Sequence, residues 1–200
     1  MSRFQIHTLD SAPEPSRALL AALKQAVGMV PNLAAGMAES PALLRGFLAV
    51  RDIYQKGTLS AAEIQVLSLV AAFENDCGWC VAFHTLLAQQ EGVSASAIDA
   101  LRDGRSPNDV QLGPLSDFAR AMIQQRGAVP PDVLDRLFGA GYARAQALEV
   151  VLGMGFSLMA NYAGHLIDPA LDQPLVSSAW KRSRAADSVP STMDRELAHS

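Results

Sequence analysis

The sequence predicts an all-α fold, and its apolar spacing is the main reason. Apolar residues recur at positions i, i+3 and i+4 in nearly every segment, which is the helical period. Strict alternation of apolar and polar residues, typical of a half-buried strand, is scarce. The chain has 200 residues, of which 50% are hydrophobic, enough for the core of one compact domain. We therefore expect one helical domain over residues 1–175 and a polar C-terminal tail or arm over residues 176–200.

Boundary residues place the predicted helices in order. Ser40 followed by Pro41 is typical of a helix start, and the run Ser60-Ala61-Ala62-Glu63 has the form of a capping box. Gly92 occupies the position of a glycine that ends the preceding helix. The predicted helices cover residues 16–27, 41–56, 61–73, 76–91, 94–102, 115–125, 131–138 and 142–165, with a short helical turn before Ser40.

One short segment is repeated along the chain. Residues 55–59 (Gln-Lys-Gly-Thr-Leu) resemble residues 125–129 (Gln-Arg-Gly-Ala-Val), and each segment lies between two predicted helices. The repeat suggests a bundle of two related helical halves.

Composition excludes several classes of protein. With 16 basic and 20 acidic side chains and no Lys/Arg stripe, the chain lacks the basic surface that nucleic acid requires. Residues 1–15 are too polar and proline-broken for a secretory signal, so we expect a cytoplasmic protein. The most apolar stretch, Val150–Ala160, has about half of the roughly 20 residues of a membrane span and is predicted to be a buried core helix.

The chemistry is concentrated in the run Cys77-Gly78-Trp79-Cys80-Val81-Ala82-Phe83-His84. In a helix, Cys80 lies roughly 60° and His84 roughly 20° from Cys77 around the axis, so the three share one face. Cys77 is also near the predicted helix N-terminus, where the backbone N–H groups and the dipole favour a thiolate.

These three residue types match the needs of a thiol peroxidase. A thiolate attacks the O–O bond, a second thiol captures the sulfenic acid, and a histidine moves protons near neutral pH. Two plain core cysteines, or a metal site, are the alternatives. Structural zinc usually takes a second ligand pair, and His165 supplies only one further ligand, so we expect neither metal nor cofactor. A thioredoxin-like fold is disfavoured because a helical pattern, not a strand, precedes the motif.

The motif and its surroundings resemble the alkylhydroperoxidase D-like branch of the carboxymuconolactone decarboxylase superfamily, in its peroxidase-related subgroup. The resemblance extends from about Val30 to Asp168. It rests on Val30-Pro31-Asn32, Ser40-Pro41-Ala42-Leu43, Gly57-Thr58-Leu59-Ser60, the Cys77–His84 run with Thr85 after it, Gly92 and Asn161. It implies a helical homo-oligomer, a trimer or hexamer, that reduces a small peroxide and is recycled by a dithiol or lipoylated-protein reductant. By position, it implies that Cys80 becomes the sulfenic acid, Cys77 resolves it and His84 is the relay histidine.

Two positions depart from the family pattern. Gln65 stands twelve residues before Cys77, where characterised peroxidases carry a glutamate, and an amide cannot accept a proton as a base does. Glu63, near in sequence, and Glu149, in an apolar helix, are the candidate replacements in the proton relay. Trp79 stands where some members have a histidine, and it is expected to pack or to line a substrate pocket.

Other functions remain open at the level of sequence. A dithiol redox or metal-binding sensor would use the same cysteines without turnover. A lactone decarboxylase-type reaction follows from fold analogy alone.

Overall fold

The computed structural model describes residues 4–182, and within this range the chain forms helices and no strand. The all-α prediction is confirmed. The α-helices are α1 Glu14–Val27, α2 Asn32–Met37, α3 Pro41–Gln55, α4 Ala61–Glu74, α5 Gly78–Gln90, α6 Ala95–Arg102, α7 Leu112–Gln124, α8 Pro131–Gly139 and α9 Arg144–Ile167, followed by a 3₁₀ helix over Gln173–Ser178.

Helices α4 and α5 form the centre of the bundle. Both are apolar around most of their circumference, as expected for helices with protein on all sides. They pack on each other, and α4 also packs on α6, α7 and α9. The predicted capping box is present at the start of α4: Glu63 N–H donates to Ser60 Oγ, and Ser60 N–H donates to the Glu63 carboxylate.

The turn between α4 and α5 sets the direction of the cysteine motif. Asp76 adopts a φ of 53°, in the left-handed region that aspartate tolerates better than most residues. Asp76 N–H donates to Phe73 O at 3.0 Å, and Cys77 N–H donates to Ala72 O at 2.9 Å. These two bonds are the Schellman pattern that ends a helix. The same turn makes Cys77 the N-cap of α5.

Helix α9 is the longest element and crosses the bundle against α2, α3, α4, α5 and α7. Its 24 residues extend well beyond the apolar stretch singled out in the sequence. Within the described residues it is the one helix long and apolar enough to span a membrane by length and composition, and 50% of its most apolar window is buried. One face of α9, with Val150 and Phe156, is buried as predicted, whereas another, with Val151 and Leu158, is exposed.

The end of the described chain packs back onto the bundle. The 3₁₀ helix contacts α5, and Trp180 Nε1 donates to Arg102 O at 2.8 Å. The Trp180 ring meets Phe73 edge-on, with centroids 5.7 Å apart. Residues 176–182 of the predicted tail are therefore in contact with the domain, and residues 183–200 lie outside the described residues.

Two local predictions differ from the structure. Helix α7 begins at Leu112, three residues earlier than expected, because Asp109 Oδ1 accepts from the N–H groups of Gln111 and Leu112. The repeated segments both connect helices, but Arg126 and Gly127 have positive φ whereas Gly57 does not. Their similarity in sequence does not extend to the backbone.

Candidate active site

Cys77 and Cys80 form a disulfide at the start of α5 and are 3% and 0% exposed. Because Cys77 is the N-cap, with φ −88° and ψ 92°, it lies outside the regular helix, and the angular spacing calculated for three helical residues does not apply to it. Cys80 lies in the first turn, among N–H groups that have no acceptor within the helix.

The two sulfur atoms have different surroundings. Cys80 lines a cavity of about 100 Å³, together with His84. Cys77 does not line this cavity, and its Sγ lies against α9 at Gly164, where an added Cβ would be 2.9 Å from the sulfur. Gly164 thus leaves the space in which the Cys77 sulfur sits. This arrangement makes Cys80 the cysteine that a small molecule in the cavity would meet first.

His84 and Gln65 form a direct pair across α5 and α4. His84 Nδ1 donates to Gln65 Oε1 at 2.8 Å, which leaves Nε2 as the acceptor. Burial lowers the pKa of His84 from 6.5 to about 4. The imidazole is therefore neutral near pH 7. Gln65 occupies the expected position beside the histidine, but as an amide it gives no negative charge to stabilise an imidazolium.

The cavity is apolar and partly aromatic. Two aromatic pairs in its wall are stacked: Phe47 on Phe156 at 4.7 Å and Trp79 on Phe83 at 5.0 Å between centroids. Further side chains in the wall are Leu23, Val27, Pro31, Leu33, Ala34, Leu48, Arg51, Tyr54, Gln55, Ile64, Gln65, Ser68, Leu87 and Ala160.

Two hydroxyl groups of the cavity residues are buried without a partner. Tyr54 and Ser68 are each 1% exposed, and neither oxygen makes a hydrogen bond with the described residues. Burial, and then the charges of Glu149 and Glu63, raise the pKa of Tyr54, so the phenol stays protonated. The Tyr54 oxygen lies against Gly153 of α9, which does not line the cavity.

Glu63 and Glu149, the candidate replacements for a glutamate at position 65, are engaged elsewhere. Glu63 closes the capping box of α4 with Ser60. Glu149 accepts from Thr58 N–H at 2.8 Å and from Thr58 Oγ1 at 3.1 Å. Neither carboxylate is bonded to His84. The structure brings Gln65, Cys80 and His84 together at the cavity and leaves Glu63 and Glu149 at the turn before α4.

Trp79 has one of the two roles expected for it, that of lining a pocket. Its ring lines the cavity, and its Nε1 donates to Asp172 Oδ2 at 3.0 Å. The Asp172 carboxylate, 6% exposed, also accepts from the N–H of Asn32 at the first turn of α2. The role of Asp172 was not predicted from the sequence. Its carboxylate bonds residues at the starts of α2 and α5, which are far from it in sequence, and no local motif marks such a residue.

His165 and Asn161 lie outside the cavity. His165 Nε2 donates to Asn75 O, and the Asn161 side chain bonds that of Asn75. Both residues brace the α4–α5 turn from α9. Within residues 4–182, no group of three or more His, Cys, Asp or Glu side chains is arranged to hold a metal ion.

Comparison with known proteins identifies both a sequence family and a fold. Residues 41–109 match the carboxymuconolactone decarboxylase family. An uncharacterized peroxidase-related protein with an alkylhydroperoxidase AhpD core, from Ralstonia eutropha JMP134, has a TM-score of 0.76 at 19% identity, over 87% of this chain and 94% of that protein. No curated protein matches the sequence.

Two further solved structures share the fold. An uncharacterized peroxidase-related protein from Silicibacter sp. TM1040 has a TM-score of 0.72 at 19% identity, over 88% of this chain and 97% of its own. A cysteine-to-alanine variant of the debrominase Bmp8, in complex with 2,3,4-tribromopyrrole, has a TM-score of 0.73 at 13% identity, over 89% and 96% of the two chains. Residues 41–109 thus match the carboxymuconolactone decarboxylase family, and the chain as a whole shares the helical fold of solved alkylhydroperoxidase D-like, peroxidase-related proteins.

Proposed function

We propose that the chain is a cytoplasmic thiol-dependent peroxidase that reduces a hydroperoxide at Cys80. The observation that carries the proposal is the asymmetry of the disulfide: Cys80 lines the cavity with His84, while Cys77 lies behind it against Gly164. The family match over residues 41–109 and the shared fold support an enzyme with a peroxidase-related or decarboxylase-like role.

The reaction proceeds in two steps from the reduced dithiol. The Cys80 thiolate attacks the distal oxygen of ROOH, the O–O bond breaks, and the leaving alkoxide takes a proton to give ROH and Cys80 sulfenic acid. The Cys77 thiolate then attacks the Cys80 sulfur, and hydroxide leaves with a proton as water. The product is the disulfide present in this structure.

His84 is the proton carrier in this proposal. Its Nδ1–H bond to Gln65 holds the ring with Nε2 as the proton acceptor. The neutral ring takes the proton of the Cys80 thiol and returns it to the leaving oxygen. Because its pKa is about 4, the imidazole is a weak base, and Gln65 does not strengthen it.

An external dithiol must restore the two thiols. The sulfur atoms are buried, so the reductant has to enter through the cavity that Cys80 lines. A dihydrolipoyl group has the two thiols and the apolar chain that suit this path. One thiolate opens the disulfide to a mixed disulfide, and the second thiol closes the oxidised lipoyl ring. We extend the proposal to a homo-oligomer, trimeric or hexameric, as the superfamily resemblance implies.

Reductive removal of bromine is the second candidate function. It is favoured by the two stacked aromatic pairs in the cavity wall and by the fold shared with a debrominase bound to a brominated pyrrole. In this reaction the dithiol supplies two electrons: the C–Br bond becomes C–H, bromide leaves, and Cys77 and Cys80 form the disulfide. A decarboxylase-type reaction, in contrast, needs no reductant, so it would not oxidise Cys77 and Cys80 to the disulfide.

The test is hydroperoxide consumption driven by dihydrolipoamide, with each cysteine replaced in turn. We expect Cys80→Ser to be inactive and to form no sulfenic acid. Cys77→Ser should react once and retain a Cys80 sulfenic acid that a dimedone probe labels, because no resolving thiol is present. Since the chain has 2 cysteines, the two variants are matched controls for each other.

The outcomes separate the candidates. Labelling confined to Cys80→Ser would reverse the two roles, and no labelling in either variant would exclude the peroxidase. Bromide release from a bromopyrrole without peroxide turnover would favour the debrominase. Turnover of a lactone that survives Cys80→Ser would favour a decarboxylase, and stoichiometric tightly held zinc would favour a metal-binding sensor.

A further inference from the structure

Helix α3 presents one charged side chain to the cavity. Its cavity face carries Phe47, Leu48, Arg51, Tyr54 and Gln55, at helical spacing. Arg51 is partly buried there, and within residues 4–182 its guanidinium has no hydrogen bond or ion pair. The neighbouring charges of α3 pair with each other instead: Lys56 Nζ lies 2.8 Å from Asp52 Oδ2.

In this disulfide form, Arg51 is the only one of the described lining residues that is charged near neutral pH. Cys80 is held in the disulfide, Gln65 is an amide, and Tyr54 and His84 have pKa values shifted toward their neutral forms. The cavity lining therefore has no anion to neutralise the guanidinium. A guanidinium beside apolar surface, with five donors and no acceptor, is suited to a carboxylate ligand.

We infer that the substrate is an amphiphilic carboxylate, an organic hydroperoxide whose apolar body fills the cavity and whose carboxylate pairs with Arg51. This inference rests on the proposed peroxidase function and names the substrate class of that same site. The Cys80 chemistry is unchanged: the hydroperoxide becomes the alcohol, and the carboxylate takes no part in bond making.

The polar groups of the cavity are divided between two walls in a way that suits such a molecule. Arg51 lies on α3, whereas Gln65 and Ser68 lie one turn apart on α4 and His84 on α5. The Ser68 hydroxyl is buried and has no partner among the described residues, and Ser68 lines the cavity on the same helix as Gln65. The carboxylate end is thus recognised on a different helix from the peroxide end, with Phe47 and Phe156 among the apolar groups available to the body.

A binding experiment that needs no turnover tests this inference. Octanoate and 1-octanol are unreactive and differ in the anionic head group. Binding to the oxidised protein is measured by calorimetry and by the change in intrinsic fluorescence of the two tryptophans, of which Trp79 lines the cavity and Trp180 does not. We expect octanoate to bind about tenfold more tightly than octanol, as one partly exposed charged pair allows.

Two arginine variants make the test specific. In Arg51→Gln, octanoate should lose about tenfold in affinity while octanol is unchanged. Arg45→Gln is the matched control, since Arg45 is an exposed residue of the same helix that does not line the cavity. Equal binding of the two probes to the parent, or an Arg51→Gln protein that keeps the preference for octanoate, would overturn the inference.

A kinetic experiment distinguishes this inference from the proposed function. A fatty-acid hydroperoxide and its methyl ester are compared as substrates, and we expect the acid to be preferred through a lower KM, a preference lost in Arg51→Gln. If octanoate binds preferentially but neither hydroperoxide is turned over, the inference of a carboxylate ligand stands and the peroxidase function is excluded. If acid and ester are turned over equally and octanoate is not preferred, the peroxidase function stands and the inference of a carboxylate ligand is excluded.

Discussion

Two groups of polar side chains, separated by one turn of α4, differ in how their hydrogen bonds are satisfied. At the turn before α4, Glu63 accepts from Ser60 and Glu149 accepts from Thr58, so both carboxylates are in use. In the cavity wall, the hydroxyl of Ser68 has no partner among residues 4–182. Gln65, between the two groups in sequence, has one bond, to His84.

The difference indicates which group serves the fold and which serves a ligand. A buried polar atom without a partner costs about 1–3 kcal/mol. The Ser157 hydroxyl, outside the cavity, bears the same cost, so it is the position of Ser68 in the cavity wall that favours a use in ligand binding. The carboxylates at the turn stabilise the entry into α4 and accept from backbone N–H groups that would otherwise lack acceptors. The cavity groups contribute no such stability, and the peroxidase proposal gives them a use. Substitutions in the two groups should therefore have opposite consequences.

The largest effect is expected for His84→Gln. Loss of a positioned acid–base group lowers turnover by about 10²–10⁴-fold, so kcat/KM for hydroperoxide should fall within that range. Steady-state peroxide consumption measures it. His165→Gln is the control, because His165 binds Asn75 O outside the cavity, and it should keep the parental rate. Equal losses in both variants would indicate a general effect on the bundle.

The same histidine should make the fold sensitive to acid. Unfolded, its pKa is near 6.5, whereas in the folded protein it is about 4. Between these values the unfolded chain binds a proton that the folded chain does not, so stability falls as the pH is lowered from 6.5 to 4. The loss amounts to as much as about 3 kcal/mol. Urea unfolding at pH 7 and pH 4.5 measures it, and a His84→Gln protein with the same pH dependence would contradict it.

Much of the fold was predictable from sequence because its signals are local. The capping box at Ser60, the proline at Pro41 and the glycine at Gly92 mark helix ends through the backbone groups nearest to them. The Cys80–His84 relation follows from helical spacing, and the contact of Gln65 with His84 was indicated by its position in the superfamily pattern.

The rest of the site depends on packing between distant segments. Asp172 reaches Trp79 and Asn32 only after the chain has returned to α2 and α5. Arg51 belongs to the cavity because α3 supplies one of its walls, and nothing in the residues around Arg51 marks this. Glu149 resembled a catalytic acid in an apolar helix, but the structure places it over the backbone of Thr58.

Gln65→Glu should make His84 a stronger base and so raise the rate of peroxide reduction. A carboxylate beside Nδ1 favours the protonated ring, so it raises the pKa of His84 and strengthens Nε2 as a base. We expect kcat/KM to rise about tenfold near pH 7, and its acid limb to move to higher pH. Glu63→Gln is the control: it makes the opposite substitution, carboxylate to amide, two residues away, and it should leave the rate unchanged. An unchanged pH profile in Gln65→Glu would show that the amide does not limit the histidine.

Glu149→Gln tests the other group. One of its two side-chain oxygens becomes an amide nitrogen, and the charge-assisted bond to Thr58 N–H weakens. The free energy of unfolding should fall by about 1 kcal/mol, measured as the urea midpoint. Peroxide turnover should stay at the parental value, because Glu149 does not line the cavity. A loss of turnover without a loss of stability would return Glu149 to the proton relay.

Ser68→Ala is the smallest change and gives the sharpest contrast with Glu149→Gln. The substitution removes one buried oxygen that has no partner, so the free energy of unfolding should stay constant or rise by about 1 kcal/mol. If the hydroxyl bonds a substrate oxygen, kcat/KM should fall severalfold while stability does not, the reverse of the result for Glu149. Ser157 of α9 is the matched control, since its hydroxyl is also buried without a partner among the described residues and it does not line the cavity. Ser157→Ala should give the same change in stability and leave turnover intact. Parental turnover in Ser68→Ala would mean that the Ser68 hydroxyl, like that of Ser157, has no part in catalysis. The contrast between the cavity group and the carboxylates at the turn would then rest on His84 and Gln65 alone.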